Sequence, residues 1–309
     1  MKITVVGAGF YGSTLTHRIA QAGYATEVVL TDIIEGRPQA LALDMMQCRP
    51  IDGSEARIVG TNGYDETAGS DICVITAGLP RKPGMSRLDL LGTNARIVAG
   101  VTRSLVEASP DTVLVVVSNP LDEMTALAAE VSGLPSARVM GQAGMLDSAR
   151  FAHFLAERLG VAPKEVEAFT LGSHGETMVP VPSLARVGGR PLTEVLDAEG
   201  IDEIAARTRD GGAEIVGLLR SGSAYFAPAA AAEAMVGAVA QDAATVMPVS
   251  TLVDGAYGIE GVWLGVPARI GRKGVVEIVE LPLADGELAA LRQAAESVRA
   301  RQSEVAGLT

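Results

Sequence analysis

Three glycines at positions 7, 9 and 12 follow an apolar run, Ile3-Thr4-Val5-Val6, and lead into a helix-length segment from Phe10 to Ala22. That spacing restricts the chain to strand, tight turn and helix, with unpaired backbone N–H groups gathered at the helix start. The alternation then repeats. Val/Ile-rich runs at Ile3 to Val6, Glu27 to Leu30, Arg57 to Val59, Ile72 to Thr76, Val113 to Val117 and Arg138 to Met140 read as strands. Between them, Phe10 to Ala22, Gly36 to Cys48, Asn94 to Ala108 and Leu121 to Val131 are long enough for the crossover helices that parallel strands require. The predicted fold class is α/β: a doubly wound parallel sheet of six strands with helices on both faces.

The alternation is lost after Gly141-Gln142-Ala143-Gly144, and 309 residues exceed what a single core usually serves. Two domains are therefore expected, a doubly wound Rossmann domain over 1–144 and an α+β domain over 145–309. The second domain reads as helices from Ser148 to Leu159, Asp202 to Leu219, Ala227 to Ala244 and Ala284 to Arg301, with strands at Val249 to Val253 and Val275 to Val279.

Gly7-Ala8-Gly9-Phe10-Tyr11-Gly12 matches the pattern by which backbone approaches a pyrophosphate at a helix N-terminus. Asp32 follows at the end of the second strand, where a carboxylate accepts hydrogen bonds from ribose hydroxyls and repels a 2′-phosphate. The expected cofactor is NAD rather than NADP.

Ligands of doubly wound sheets collect beyond the carboxyl ends of the strands. The unusual polar residues fall there in turn. Arg81 and Arg87 follow the fourth strand in Leu79-Pro80-Arg81-Lys82-Pro83-Gly84-Met85-Ser86-Arg87, Ser118-Asn119-Pro120 follows the fifth, and Asp147 follows the sixth. Two guanidinium groups in one loop can grip a small anion with more than one acidic centre, although a solvated basic loop is the plainer alternative. Asn119 can donate and accept, and Asn-Pro is also an ordinary turn.

Asp147 and Arg150 are three residues apart on a helix, so they share a face and can form an intrahelical ion pair or serve a ligand together. The chain has three histidines, at 17, 153 and 174. His17 falls within the first crossover helix and His153 along the Asp147 helix, both at positions suited to packing or surface. His174 lies in the polar loop Gly172-Ser173-His174-Gly175-Glu176, where it can reach into a cleft as a proton carrier.

Other chemistries lack their sequence marks. There is no G-x-S-x-G elbow, no G-x-x-x-x-G-K-[ST] loop, no H-E-x-x-H pair and no Tyr-x-x-x-Lys. Cys48 and Cys73 lack zinc-like spacing, so no metal is expected, and two thiols in such a chain suit a reducing cytoplasm better than a secreted disulfide framework. Met1-Lys2 leads straight into the first strand, with no room for a cleavable leader. The apolar stretch Ala227 to Val249 contains Glu233, Gln241 and Asp242 and reads as a packed helix rather than a membrane span. With 25 Lys+Arg against 37 Asp+Glu, the net charge of −12 opposes nucleic acid and anionic membrane as partners.

Five motifs in order resemble the malate dehydrogenases of the lactate-dehydrogenase-like bacterial group: GAGFYG at Gly7 to Gly12, RKPGMSR at Arg81 to Arg87, VSNP at Val117 to Pro120, LDSAR at Leu146 to Arg150, and GSHGETMVP at Gly172 to Pro180. The resemblance runs from Lys2 nearly to the C-terminus. It implies NAD-dependent oxidation of L-malate to oxaloacetate, with His174 as proton acceptor and Asp147 orienting it. On the same basis Arg150 binds the carboxylate beside the reacting carbon, Arg87 closes over the site and polarises the carbonyl, and Arg81 takes the second carboxylate. Asn119 is implied to bind substrate and lie near the nicotinamide, and Val117, Ser118 and Asn94 to line the cofactor site. A homodimer or homotetramer is also implied. Glu176 departs from the pattern, since related chains often carry Asp after His-Gly; Ala224 leaves room for a four-carbon diacid or for close packing. Two other readings stand beside this one: a lactate or other 2-hydroxy acid dehydrogenase, and a noncatalytic NAD(H)-binding sensor.

Overall fold

The computed structural model describes residues 1–79 and 87–306. Arg81 lies outside the described residues, as does the side chain of Arg87, whose backbone opens a helix. The chain runs β1 (Lys2–Val6), α1 (Phe10–Gln21), β2 (Glu27–Thr31), α2 (Arg37–Asp52), β3 (Arg57–Thr61), β4 (Ile72–Ile75), α3 (Arg87–Ala108), β5 (Val113–Val116), α4 (Leu121–Ser132) and β6 (Val139–Gly141). It continues through α5 (Gly144–Leu159), β7 (Val166–Glu167), β8 (Thr170–Gly172), β9 (Met178–Pro180), β10 (Arg186–Val187), β11 (Arg190–Pro191), α6 (Ala198–Leu219), α7 (Phe226–Ala240), β12 (Thr245–Val253), β13 (Val262–Gly271), β14 (Gly274–Ile278) and α8 (Asp285–Ala306).

The first six strands are parallel in the order β3-β2-β1-β4-β5-β6. Their apolar side chains are buried on both faces, which is why these segments read as continuous rather than alternating hydrophobic runs. Strand order reverses between β1 and β4, and the carboxyl ends of those strands open the crevice where such sheets take a nucleotide. The expected α/β doubly wound sheet is present.

The sheet does not end at β6. It passes by antiparallel pairing through Ser250 and Gly141 to β12, then to β13, β8 and β9, with β14 also pairing β13 towards its end, on the flank that β8 uses. Strand β13 is absent from the sequence reading because it is buried almost throughout and carries Gly265 and Pro267, so it shows neither alternation nor a clean β composition. Helix α7 stops at Ala240, short of the expected Ala244, and β12 starts at Thr245; the break falls at the polar pair Gln241-Asp242, and Ala243-Ala244, themselves good helix formers, lie outside the helix. Helices α3 and α5 begin earlier than their apolar periodicity suggests, at Arg87 and Gly144.

Helix α7 packs on α1, extending one core from β1 and β2 to Ala229, Met235 and Val239. Tyr11 Oη donates to the Pro228 carbonyl at 2.8 Å and Tyr24 Oη to Glu233 at 3.0 Å, so the second half of the chain buttresses the helix that follows the glycine turn. No described helix is long and apolar enough to cross a membrane.

Candidate active site

The glycine turn has one tight side and one open side. Gly7 has φ +108°, which favours glycine, and a Cβ at Gly12 would overlap the Gly7 carbonyl oxygen. Around Gly9, by contrast, an added Cβ meets nothing within 4 Å among the described residues. Gly9 caps α1 without a side-chain hydrogen bond, and no acidic residue occupies the first turn. The helix therefore presents free N–H groups and an uncompensated positive end to that open side, which suits a pyrophosphate. Asp32 Oδ2 accepts from Ala8 N at 2.6 Å and Oδ1 from Ile34 N at 2.9 Å, which leaves lone pairs for ribose hydroxyls. These residues fit NAD. Phe10 is exposed and stacks on Tyr225 with ring centroids 5.4 Å apart, whereas Tyr11 spends its hydroxyl on Pro228.

Two other side chains expected near the cofactor hold the frame. Asn94 accepts from Leu79 N at 2.8 Å and donates to the Leu79 and Asn119 carbonyls at 3.2 and 2.7 Å. Buried Ser118 donates to the Ala77 carbonyl at 2.6 Å. Together they tie the end of β4 to the end of β5. Val117 is buried beside them, and Asn119 is exposed at the rim.

Beyond β6 the chain turns into α5 at Gly144, where a Cβ would come within 2.6 Å of Pro248 and 2.8 Å of the Thr170 carbonyl. That close approach lays the first turn of α5 against β8 and β12. Asp147, on this turn, is buried, and His174 sits just past the end of β8. Asp147 Oδ2 lies 2.8 Å from His174 Nδ1, and its Oδ1 accepts from the Arg150 guanidinium at 3.1 Å. The intrahelical ion pair and the shared site are thus both realised, one on each carboxylate oxygen.

Arg150 reaches this place because α6 gives way. Cβ atoms at Gly211 and Gly212 would come within 3.3 to 3.5 Å of its side chain. Adjacent glycines inside a helix cost about 1 kcal/mol each relative to alanine, and here they make the room the arginine fills.

The His174 loop is closely held. Ser173 and Thr177 hydroxyls bond at 2.7 Å, Gly175 N donates to the Ser173 carbonyl, and His174 N donates to Asp122 Oδ2 at 3.0 Å. Burial pushes the imidazole pKa down, but the charge and hydrogen bond of Asp147 more than reverse this; Arg150 opposes them and Asp122 adds to them, and the net pKa is raised. His17 lies within α1 and His153 is exposed on α5, away from this group. Asp122 and Ser250 belong to the cluster and the sequence reading missed them. The available signal, an acidic residue in the first turn after Asn119-Pro120, is indistinguishable from ordinary compensation of a helix end.

Family profiles match nearly the whole chain: the lactate/malate dehydrogenase NAD binding domain over residues 1–141 and the lactate/malate dehydrogenase alpha/beta C-terminal domain over residues 144–307. The malate dehydrogenase of Synechocystis sp. is 50% identical over 298 residues, covering 96% of this chain and 92% of that protein. The solved malate dehydrogenase of Salinibacter ruber is 45% identical with a TM-score of 0.95, covering 100% of this chain and 98% of the other. A lactate dehydrogenase of Cryptosporidium parvum, solved with lactic acid and nicotinamide adenine dinucleotide, is 39% identical with a TM-score of 0.94, covering 98% of this chain and 97% of the other. The chain belongs to the lactate/malate dehydrogenase family.

Proposed function

We propose that the chain is an NAD-dependent malate dehydrogenase that interconverts L-malate and oxaloacetate. The observation that carries the reading is the buried Asp147 carboxylate, which holds His174 Nδ1 with one oxygen and Arg150 with the other. It is supported by about half-identity to proteins named malate dehydrogenase over nearly full length. Bound NAD supplies the nicotinamide ring that takes a hydride from the alcohol carbon.

The chain's own residues handle the proton and the carboxylates. With Nδ1–H donating to Asp147, neutral His174 exposes an acceptor at Nε2, which takes the malate hydroxyl proton as the carbonyl forms. Asp147 fixes that tautomer and stabilises the resulting imidazolium. Arg150 binds the carboxylate next to the reacting carbon, Arg87 polarises the carbonyl oxygen, and Arg81 takes the distal carboxylate. Asn119 at the rim bonds substrate. Gly7 to Gly12, Asp32, Asn94, Val117 and Ser118 form the cofactor side, Asn94 and Ser118 by shaping the wall.

The division into domains at 144/145, a cytoplasmic location and a homodimeric or homotetrameric state complete the proposal. They are supported by where the six parallel strands end, by the two thiols of an unstapled chain, and by family resemblance.

Steady-state turnover of oxaloacetate and pyruvate, with NADH and NADPH in parallel, tests the reading. Oxaloacetate with NADH is expected to be used best; a preference for pyruvate transfers the chain to the lactate side, and no turnover at any pH makes it a sensor. Arg81→Gln is expected to lower kcat/KM for oxaloacetate roughly a hundredfold or more and to leave pyruvate nearly unchanged, since it removes a charged bidentate contact that only the diacid makes. Equal loss on both substrates refutes the Arg81 assignment. Gly12→Ala is expected to weaken NADH binding about tenfold or more in a fluorescence titration, because its Cβ must displace the Gly7 carbonyl and reshape the turn. Unaltered affinity would move the pyrophosphate elsewhere.

A further inference from the structure

Behind the catalytic histidine lies a second carboxylate that the mechanism above does not use. Asp122, in the first turn of α4, is 2% exposed. Its Oδ2 accepts from His174 N at 3.0 Å and its Oδ1 from Ser250 Oγ at 2.8 Å. Ser250 stands where β12 meets β6, the narrow seam by which the sheet passes from the parallel strands to the antiparallel ones. The Asp122 carbonyl accepts from Gln302 Nε2 of α8 at 3.2 Å, and neighbouring buried Glu123 is ion-paired with Arg301 of the same helix. One short segment of α4 is thus fixed by β12, by α8 and by the His174 loop.

We infer that Asp122 is a positioning residue for the malate dehydrogenase reaction, its carboxylate clamping the His174 backbone so that the imidazole meets Asp147 and substrate together. This rests on the function proposed above. Asp147 orients the ring from the side-chain end, and Asp122 fixes the point from which the ring springs. The Ser173–Thr177 and Gly175–Ser173 bonds close the loop on itself, whereas Asp122 ties the His174 backbone to another element, and without that tie Nε2 would sweep through more than the narrow range that proton transfer tolerates. The clamp is also charged. The ionisable groups in this network are Asp147 and Arg150 of α5, Asp122 and Glu123 of α4, and Arg301 of α8, with the Arg81 and Arg87 side chains outside the described residues. Burial, reinforced by Glu123, raises the Asp122 pKa to about 6, against the opposing bonds from Ser250 and His174 N. Its ionisation in turn favours the imidazolium of His174.

The test uses the full chain, with kcat and KM for oxaloacetate, NADH affinity by fluorescence, and the imidazole titration of His174 by NMR. Three histidines keep that spectrum simple, and His174→Asn identifies the signal. Asp122→Ala is expected to lower kcat roughly ten- to a hundredfold, the usual effect of losing a charged hydrogen-bond partner. KM should change less, and NADH affinity should stay at the wild-type value. Asp122→Asn keeps an acceptor for His174 N, so most of kcat should return while the His174 titration moves to lower pH. Ser250→Ala, which keeps Asp122 itself, should move that titration the same way by less and carries the test if Asp122→Ala does not fold. Kinetics within twofold of wild type, an unmoved His174 titration in both Asp122→Asn and Ser250→Ala, or NADH binding lost in step with kcat would each overturn the clamp. The titration needs no turnover, so failure of the wild-type chain to reduce oxaloacetate would sink the proposed function and leave the clamp to be judged separately.

Discussion

Replacing His174 by Asn is expected to cut kcat for oxaloacetate reduction by about 10² to 10⁴, the usual span for removing a positioned general acid or base. The upper part of that range is favoured here, because no other imidazole can substitute: His17 lies within α1 and His153 is exposed on another face of α5. Asparagine can still donate to Asp147 Oδ2, and Arg150 still satisfies Oδ1, so the buried carboxylate is not left bare and the fold should hold. NADH affinity should be preserved, since the glycine turn and Asp32 are made by other strands. Single-turnover kinetics separates the chemical step from product release. A variant that retains more than a tenth of wild-type chemistry would move the proton transfer to another group.

The sequence carried the nucleotide half well because each of its signals is local. An apolar run, three glycines and an acid at the next strand end are all read within about thirty residues, and β1 to β6 lie close to where the runs of Val and Ile put them. The Asp147 and Arg150 pairing was legible for the same reason, as a spacing of three on a helix. Contacts that span the chain were not. Asp122 is 52 residues from His174 and 128 from Ser250 in sequence, and nothing in its own surroundings sets it apart from an acid at a helix start. Strand β13 was lost to burial on both faces, which erases the alternation that marks a strand, and the α7 boundary to Ala243-Ala244, whose helix propensity extends the reading past the polar Gln241-Asp242 break. Asn94 and Ser118 show another long-range limit: the family resemblance places them beside the cofactor, but only the structure shows their side chains bonding the backbone of the neighbouring strand ends. The glycine pair Gly211-Gly212 reads as a weakness in α6 until Arg150 is seen lying against it.

Asp147→Asn is expected to reduce kcat by about 10³ to 10⁴, comparable with the loss when the acid partner of a catalytic histidine in a hydrolytic triad becomes an amide. The amide can present N–H₂ to Nδ1, which then accepts, and the proton moves to Nε2, where malate oxidation needs a lone pair. Arg150 also loses its charged partner. The pH dependence gives an independent signature. Burial lowers the His174 pKa and Asp147 raises it, with the raise prevailing. Without Asp147 the pKa falls, so the alkaline limb of oxaloacetate reduction, which needs imidazolium, should move to lower pH, and the acid limb of malate oxidation should follow. Stability has the same sign. A histidine pKa raised by folding stabilises fully below its unfolded value of about 6.5, and the benefit is lost as pH rises through the folded value. The stability gap between wild type and Asp147→Asn should therefore narrow as pH rises from mildly acid to alkaline, as read by urea denaturation across that range. A gap that widens, or a reduction profile that stays in place, would mean that Asp147 does not set the titration of His174.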